Sequence, residues 1–228
     1  MKKFFITLAA LASYAFANAQ DFKPTAGKLA FELNAASPFA ASTPLSLPVY
    51  GFKARYLIAD MFVGRLGLNW NLATTTTPKV LSNGIDKEDD KTSLSSFTVA
   101  PGIEKHFEGT ERFSPYLGLI VPISFGSSET VTNSGVSATN RTKTTVKNAN
   151  GFFSIGGSLL SGVDFYMFKN MYLGAEFGLS FTYMSQNDIE TSNEVIGGPA
   201  IADSTTTGGS SFNITPAANA SFRFGYWF

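Results

Sequence analysis

Phe62-Val63-Gly64-Arg65-Leu66-Gly67-Leu68-Asn69-Trp70-Asn71-Leu72 decides the fold. Phe62, Gly64, Leu66, Leu68, Trp70 and Leu72 alternate with Val63, Arg65, Gly67, Asn69 and Asn71, a period of two that a strand produces and a helix does not. The pattern continues on both sides. Phe52, Ala54, Tyr56 and Ile58 alternate with Lys53, Arg55 and Leu57, and Leu29, Phe31, Leu33 and Ala35 with Ala30, Glu32 and Asn34. Downstream, apolar faces are carried by Phe97 to Ile103, Leu117 to Phe125, Phe153 to Met167, Leu173 to Tyr183 and Ile214 to Phe228, each on every second residue. The reading is eight strands and an all-β chain.

Two kinds of connection join them. Those near 59–60, 108–112 and 169–170 are short, while those near 36–48, 74–92, 127–150 and 185–210 are long and rich in Ser, Thr, Asn and Gly. Short and long alternate, as in an up-and-down barrel whose odd and even connections lie at opposite ends. Outer-membrane barrels place short turns in the periplasm and long loops outside. The expected fold is therefore an eight-stranded antiparallel up-and-down transmembrane β-barrel with four long extracellular loops.

A soluble barrel of lipocalin type has the same period with its faces reversed. Volume argues against it: an eight-stranded interior just holds its side chains, and the apolar face here offers more Leu, Ile, Val, Phe and Tyr than would fit. The other face is Gly, Ser, Ala, Thr and Asn with few charges, which suits a filled interior better than a surface in water. Aromatic residues gather toward both strand ends, Tyr56, Phe62, Phe107, Phe113, Phe168, Tyr172 and Phe228 by the short turns and Trp70, Phe97, Phe125, Phe181, Tyr183 and Phe212 by the long loops. They suit two interfacial girdles.

Composition agrees. The 228 residues include 22 Phe, 8 Tyr and 2 Trp but only 15% charged residues, and 17 basic side chains balance 17 acidic ones. Zero net charge gives no field to hold nucleic acid. With no cysteine, disulfides, thiolate metal sites and lipid attachment through cysteine are excluded. Lys2 and Lys3, an apolar run from Phe4 to about Ala12 and small residues ending Ala17-Asn18-Ala19 have the layout of a cleaved export signal, too short to span a membrane as a helix. This divides the chain into a signal peptide, 1–19, and one barrel domain, 20–228.

The chain ends Ser221-Phe222-Arg223-Phe224-Gly225-Tyr226-Trp227-Phe228. That ending resembles the terminal strand of outer-membrane barrels, which implies that Phe224, Tyr226 and Phe228 form the signal read by the barrel-assembly machinery. Ala100-Pro101-Gly102-Ile103-Glu104, Pro115-Tyr116-Leu117-Gly118 and Asn170-Met171-Tyr172-Leu173-Gly174-Ala175-Glu176 resemble the porin-like outer-membrane barrel family of Bacteroidetes, related in architecture to OmpX and OmpW. The resemblance implies location in the Gram-negative outer membrane, with membrane lipid and lipopolysaccharide as neighbours, and implies little about activity. Pro101 and Pro122 each remove a ladder donor inside an expected strand, so bulges are expected there.

The inward charges are Glu32, Glu104, Asp164 and Glu176 against Lys53, Arg55, Arg65 and Arg223. Each lies near the short-turn end of its strand, so they should share a layer. Nearest-neighbour order places Glu32 between Arg55 and Arg223, Arg65 against Glu104 and Glu176 beside Arg223, the Glu32–Arg223 pair requiring closure between first and last strands. Charges in a narrow interior are costly unless paired, which favours a salt-bridge network that plugs the barrel over a charge-lined ion pathway. Gly51, Gly102, Gly118, Gly156, Gly174 and Gly225 on the same face leave room for Tyr116 and Tyr166.

Other chemistry is sparse. His106, the single histidine, falls beside the second short turn and reads as a surface residue; an enzyme acting on lipid A would need a Ser/His pair at the opposite end. Asp86, Glu88, Asp89 and Asp90 offer oxygen ligands, but Lys87 and Lys91 interrupt them and a solvated loop is the expectation. Arg141, Lys143 and Lys147 suit lipopolysaccharide phosphates or a plain solvated surface. Asp203-Ser204-Thr205 and Asn140-Arg141-Thr142 match short glycosylation patterns. No catalytic residue, cofactor or metal is expected. The reading is a monomeric structural or surface-interaction protein with an unidentified extracellular ligand. A narrow OmpW-like transporter for small apolar molecules is the alternative, and a lipid-modifying barrel enzyme ranks last.

Overall fold

The computed structural model describes residues 22–35, 52–215 and 221–228. The expected signal peptide and the first long connection fall outside these. Among the described residues thirteen strands form one antiparallel sheet: β1 (Leu29–Ala35), β2 (Phe52–Ala59), β3 (Phe62–Val80), β4 (Lys87–His106), β5 (Phe113–Ile120), β6 (Ile123–Ser137), β7 (Asn140–Lys147), β8 (Phe152–Phe168), β9 (Met171–Gln186), β10 (Ile189–Ile196), β11 (Ser204–Thr206), β12 (Ser210–Thr215) and β13 (Ser221–Trp227).

Pairing closes the sheet on itself. The order β1-β2-β3-β4-β5-β8-β9-β13 returns to β1, a ring of eight strands. Its last seam joins the two ends of the chain, with Ala30 opposite Trp227, Glu32 opposite Gly225 and Ala35 opposite Phe222. One end of the ring carries the short connections at Asp60-Met61, 107–112 and 169–170; the last of these is a two-residue turn in which Asn170 takes the left-handed conformation (φ 63°), where Asn is tolerated better than most residues.

Three strand expectations need correction. The strand read over Leu117 to Phe125 is broken at Val121-Pro122 into β5 and β6, both of which pair with β4 and β8. No bulge occurs at Pro101, which sits in unshifted register opposite Leu66. The missing Pro101 amide instead faces the break, where its carbonyl accepts from the Val121 amide at 2.9 Å and that of Pro122 accepts from the Gly156 amide at 2.9 Å. Two residues that cannot donate thus share one interruption of the ladder.

The long connections after β3, β6 and β9 are also not loops. β3 and β4 remain paired from Phe62–Lys105 to Val80–Lys87, beyond the ring to a turn at 81–86. β6 and β7 form a hairpin, and β10 and β11 add to it, so a sheet in the order β3-β4-β6-β7-β10-β11 stands above one side of the ring. Threonine explains the difference: its branched Cβ favours extended backbone, and Thr74 to Thr77, Thr130, Thr132, Thr142, Thr144 and Thr145 all lie in strands.

Burial is inverted relative to a protein in water. Leu33 and Leu72 are 70% and 78% exposed, with Trp70, Phe97, Leu117, Phe177 and Phe181 exposed along the same outward face. The interior holds charged side chains and, toward the turn end, an apolar cluster of Phe22, Ala30, Leu57, Val63, Tyr166, Tyr172 and Trp227. Phe22, ahead of the first strand, packs under the ring, its carbonyl accepting from the Asn170 amide at 3.2 Å and its ring facing Arg112 at 3.9 Å.

Candidate functional site

Because successive side chains alternate between faces, Glu32 on β1, Arg55 on β2, Arg65 on β3, Glu104 on β4, Asp164 on β8, Glu176 on β9 and Arg223 on β13 all enter the ring at one depth. Each is buried. Neighbouring strands supply the Arg65 Nη1–Glu104 Oε1 contact at 2.8 Å, Arg55 Nη1–Glu32 Oε1 at 3.2 Å, Arg223 Nη1–Glu32 Oε1 at 3.2 Å and Arg223 Nη1–Glu176 Oε2 at 3.4 Å. Lys53 lies one inward position further from the turn end, in register with Glu32 and Gly67.

Other pairs are not between neighbours. Arg55 Nη1 reaches Asp164 Oδ2 at 2.7 Å, from β2 to β8, and Arg65 Nη1 reaches Glu176 Oε2 at 2.9 Å, from β3 to β9. In an eight-strand ring each of these links strands four places apart, so both cross the interior from wall to opposite wall. Arg55 also bonds Glu104. Sequence order gave neighbours only; the cross-ring contacts depend on how far an arginine extends over a ring this narrow.

Bonds also pass over glycines. Across three adjacent strands the rows are Asp164-Gly174-Arg223, Tyr116-Gly162-Glu176 and Glu32-Gly225-Tyr172. In each, the outer pair bonds over the glycine: Arg223 Nη2 donates to Asp164 Oδ1 at 2.7 Å, Tyr116 Oη to Glu176 Oε2 at 2.8 Å and Tyr172 Oη to Glu32 Oε1 at 2.6 Å. A Cβ on Gly174 would lie 2.8 Å from both Arg223 Nη2 and Asp164 Oδ1. Tyr172, expected in the outer girdle, is therefore an interior residue, because its position in β9 has the parity of Gly174 and Glu176. The Arg55 guanidinium also faces the rings of Tyr116, Tyr172 and Trp227 at 5.6, 5.3 and 5.4 Å, distances at which cation–π attraction operates.

His106 is not a surface residue. It is buried at the end of β4, its ring stacked on Tyr116 at 5.1 Å, with Nδ1 2.8 Å from Ser114 Oγ and Nε2 3.0 Å from Arg55 Nη2 and 3.3 Å from Glu104 Oε2. Its inward parity, two residues from Glu104, was the signal in the sequence. The two Nε2 contacts make opposite demands on the ring, a lone pair toward the Arg55 guanidinium and an N–H toward the Glu104 carboxylate, so the direction of the Nδ1–Ser114 bond follows the tautomer.

The remaining candidates lie outside this layer. Phe224, Tyr226 and Phe228 project outward on and just beyond β13. Asp86 Oδ2 accepts from Asn83 Nδ2 at 2.8 Å and the Ala138 amide at 2.9 Å, bonds that hold its carboxyl below the usual range. Glu88 pairs with Arg141 at 3.0 Å and Asp90 with Lys79 at 3.3 Å, while Lys143 contacts Glu194 at 3.5 Å. The acidic group thus belongs to a folded hairpin rather than a solvated loop, and Lys147 lies opposite Glu129 and Glu190 in register.

The sequence matches the OmpA-OmpF-like porin family over residues 41–192, most of the chain. The chain belongs to this family. The matched stretch carries Lys53, Arg55, Arg65, Glu104, His106, Asp164 and Glu176, while Glu32 and Arg223 on the seam strands lie outside it. No curated protein and no solved structure matches. Porin-like membership and an all-β closed ring together fit an outer-membrane β-barrel protein. No helix among the described residues is long and apolar enough to cross a membrane.

Proposed function

We propose that this porin-family chain is an eight-stranded up-and-down transmembrane β-barrel of the Gram-negative outer membrane. Residues 20–228 would form it after loss of a signal peptide, 1–19. Its interior is closed by the charge layer, and it acts as a monomeric structural or surface-interaction protein without catalysis. The long hairpins face outside, where lipopolysaccharide and an extracellular ligand meet them, and the aromatic ending of β13 addresses the barrel-assembly machinery.

The inversion of burial carries this reading. A face of exposed Leu, Phe, Ile and Trp running round the ring exceeds what a protein in water tolerates and suits lipid. Inside, four cationic and four anionic side chains balance, two pairs cross the ring, and the apolar cluster with Phe22 lies beneath. Compensated charge at that density leaves no water column of useful width.

The test is reconstitution of purified protein in planar bilayers. The expected result is little or no steady conductance, with an increase when Arg55 and Asp164 are both replaced by alanine, since that pair spans the ring. Large stable currents from the unmodified protein would refute closure. The narrow transporter remains a second reading because an apolar groove of about 380 Å³, lined by Phe31, Leu33, Phe52, Trp70, Phe224 and Phe228, lies on the outward face of the wall. Saturable uptake of a small apolar dye into vesicles, lost on Trp70→Ala, would favour it.

A further inference from the structure

From the short turns up to the Trp70–Phe97 pair, the outward positions of the described ring strands carry uncharged side chains, with one exception, Lys105. It is exposed at the turn end of β4, opposite Phe62 on β3 and Leu117 on β5. Its ammonium faces the rings of Phe62 at 5.8 Å and Phe107 at 6.0 Å and meets no carboxylate among the described residues. A charge on a lipid-facing wall is costly at depth and tolerated at the interface, where a lysine extends its head to polar groups along an apolar stem. Two aromatic faces hold this cation in place without neutralising it.

A track leads away from it. Lys105, Leu117, Ser161 and Phe177 are successive register partners on β4, β5, β8 and β9, a row of roughly 14 Å at about 4.8 Å per strand. The row climbs. Lys105 is 1 residue from the turn end of its strand, Leu117 is 4 residues from the start of β5, Ser161 is 7 from the end of β8 and Phe177 is 6 from the start of β9. Ser161, small between two large neighbours, opens a groove of about 440 Å³ lined also by Leu159 and Leu179. An interfacial cation is thus continuous with an apolar furrow that rises up the wall.

We propose that this is the seat of one anionic glycerophospholipid. Its phosphate accepts from the Lys105 ammonium, and one acyl chain lies along Leu117, Ser161 and Phe177. Charge complementarity selects the headgroup: a zwitterionic lipid brings its own cation to a site that already holds one, whereas a net-negative headgroup supplies the missing counter-charge. The inference rests on the lipid-facing reading of the outer wall. In that reading the short turns face the periplasm, so the occupant comes from the phospholipid leaflet and not from the lipopolysaccharide at the hairpin end.

The experiment is native mass spectrometry of the full mature chain, folded in detergent and mixed with dioleoyl phosphatidylglycerol or dioleoyl phosphatidylcholine. The expected result is one retained phosphatidylglycerol, preferred about fivefold over phosphatidylcholine, the attraction one lysine contributes near an anionic lipid surface. Lys105→Gln should abolish the preference and Lys105→Arg should keep it. Ser161→Phe fills the groove but leaves the charge, so it should reduce retention of both lipids. Lys169→Gln, in the exposed turn between β8 and β9, is the control and should change nothing. A preference that survives Lys105→Gln, or falls equally in Lys169→Gln, overturns the headgroup site, and retention unaffected by Ser161→Phe overturns the acyl track. The replaced side chains are exposed, so each variant should keep its folded gel form. Failure of the lipid-facing reading shows separately: the unmodified chain would then have no heat-modifiable form and would not insert into vesicles of either lipid, whereas an inserted chain without the preference refutes the seat alone.

Discussion

Gly174 has no side chain because an arginine and an aspartate meet above it. Gly174→Ala would push Arg223 and Asp164 apart, with an expected loss of about 1–3 kcal/mol, measured as urea unfolding from lipid vesicles. Gly178→Ala is the control: its Cβ would press on the movable Leu160 Cδ2, at 2.9 Å, and lie at an ordinary 3.6 Å from the Leu159 carbonyl oxygen, so the loss should be smaller. Glu104→Gln strips a carboxylate from two buried arginines and should cost more, about 3–5 kcal/mol, since an uncompensated buried charge is the expensive case. Tyr172→Phe removes one bond to Glu32 and should cost about 1–3 kcal/mol. At this scale parity was readable in the sequence and reach was not. Alternation puts Glu32, Arg65 and Arg223 on one face and gives Tyr172 the inward parity of Gly174 and Glu176, but nothing in spacing says that Arg55 extends to the opposite wall. Phe22 has no signal in the sequence, because one apolar residue ahead of a strand has no periodicity to betray it.

Strands were legible wherever one face is apolar. Beyond the ring both faces are polar, the alternation fades, and Ser, Thr and Asn serve a loop as well as a two-sided polar strand. This is why β3, β6 and β9 run past the ends expected from the sequence, why β4 starts at Lys87 rather than Phe97, and why β7, β10 and β11 have no apolar signature. The turn at 81–86 offers a pH test. Folding lowers the Asp86 carboxyl below its ordinary 3.8, so its contribution is present above the unfolded value and disappears as pH falls through the lower folded one. The Ala138 amide resonance should titrate with a midpoint below 3.8 and stay flat in Asp86→Asn. Replacing 129–147 with a short Gly/Asn turn should leave the ring intact, with the folded gel form retained, because that hairpin contributes no strand to the eight-member circuit.

For the molecule as a whole, the seam between β1 and β13 is decisive: Ala30 pairs with Trp227, and the Phe228 amide donates to the Leu29 carbonyl at 2.8 Å. A chain ending at residue 220 should yield no heat-resistant folded band, since it would keep Glu32 and Asp164 while losing Arg223, and would leave two open edges. This seam also orders events in time. β1 can pair early with β2, but its other edge must wait for β13, the most distant partner in sequence and the slowest kind of contact for a chain to make. Any quality-control step that reads the finished wall therefore also verifies that synthesis has passed β13, so that a copy broken off before it is recognisable by its geometry alone.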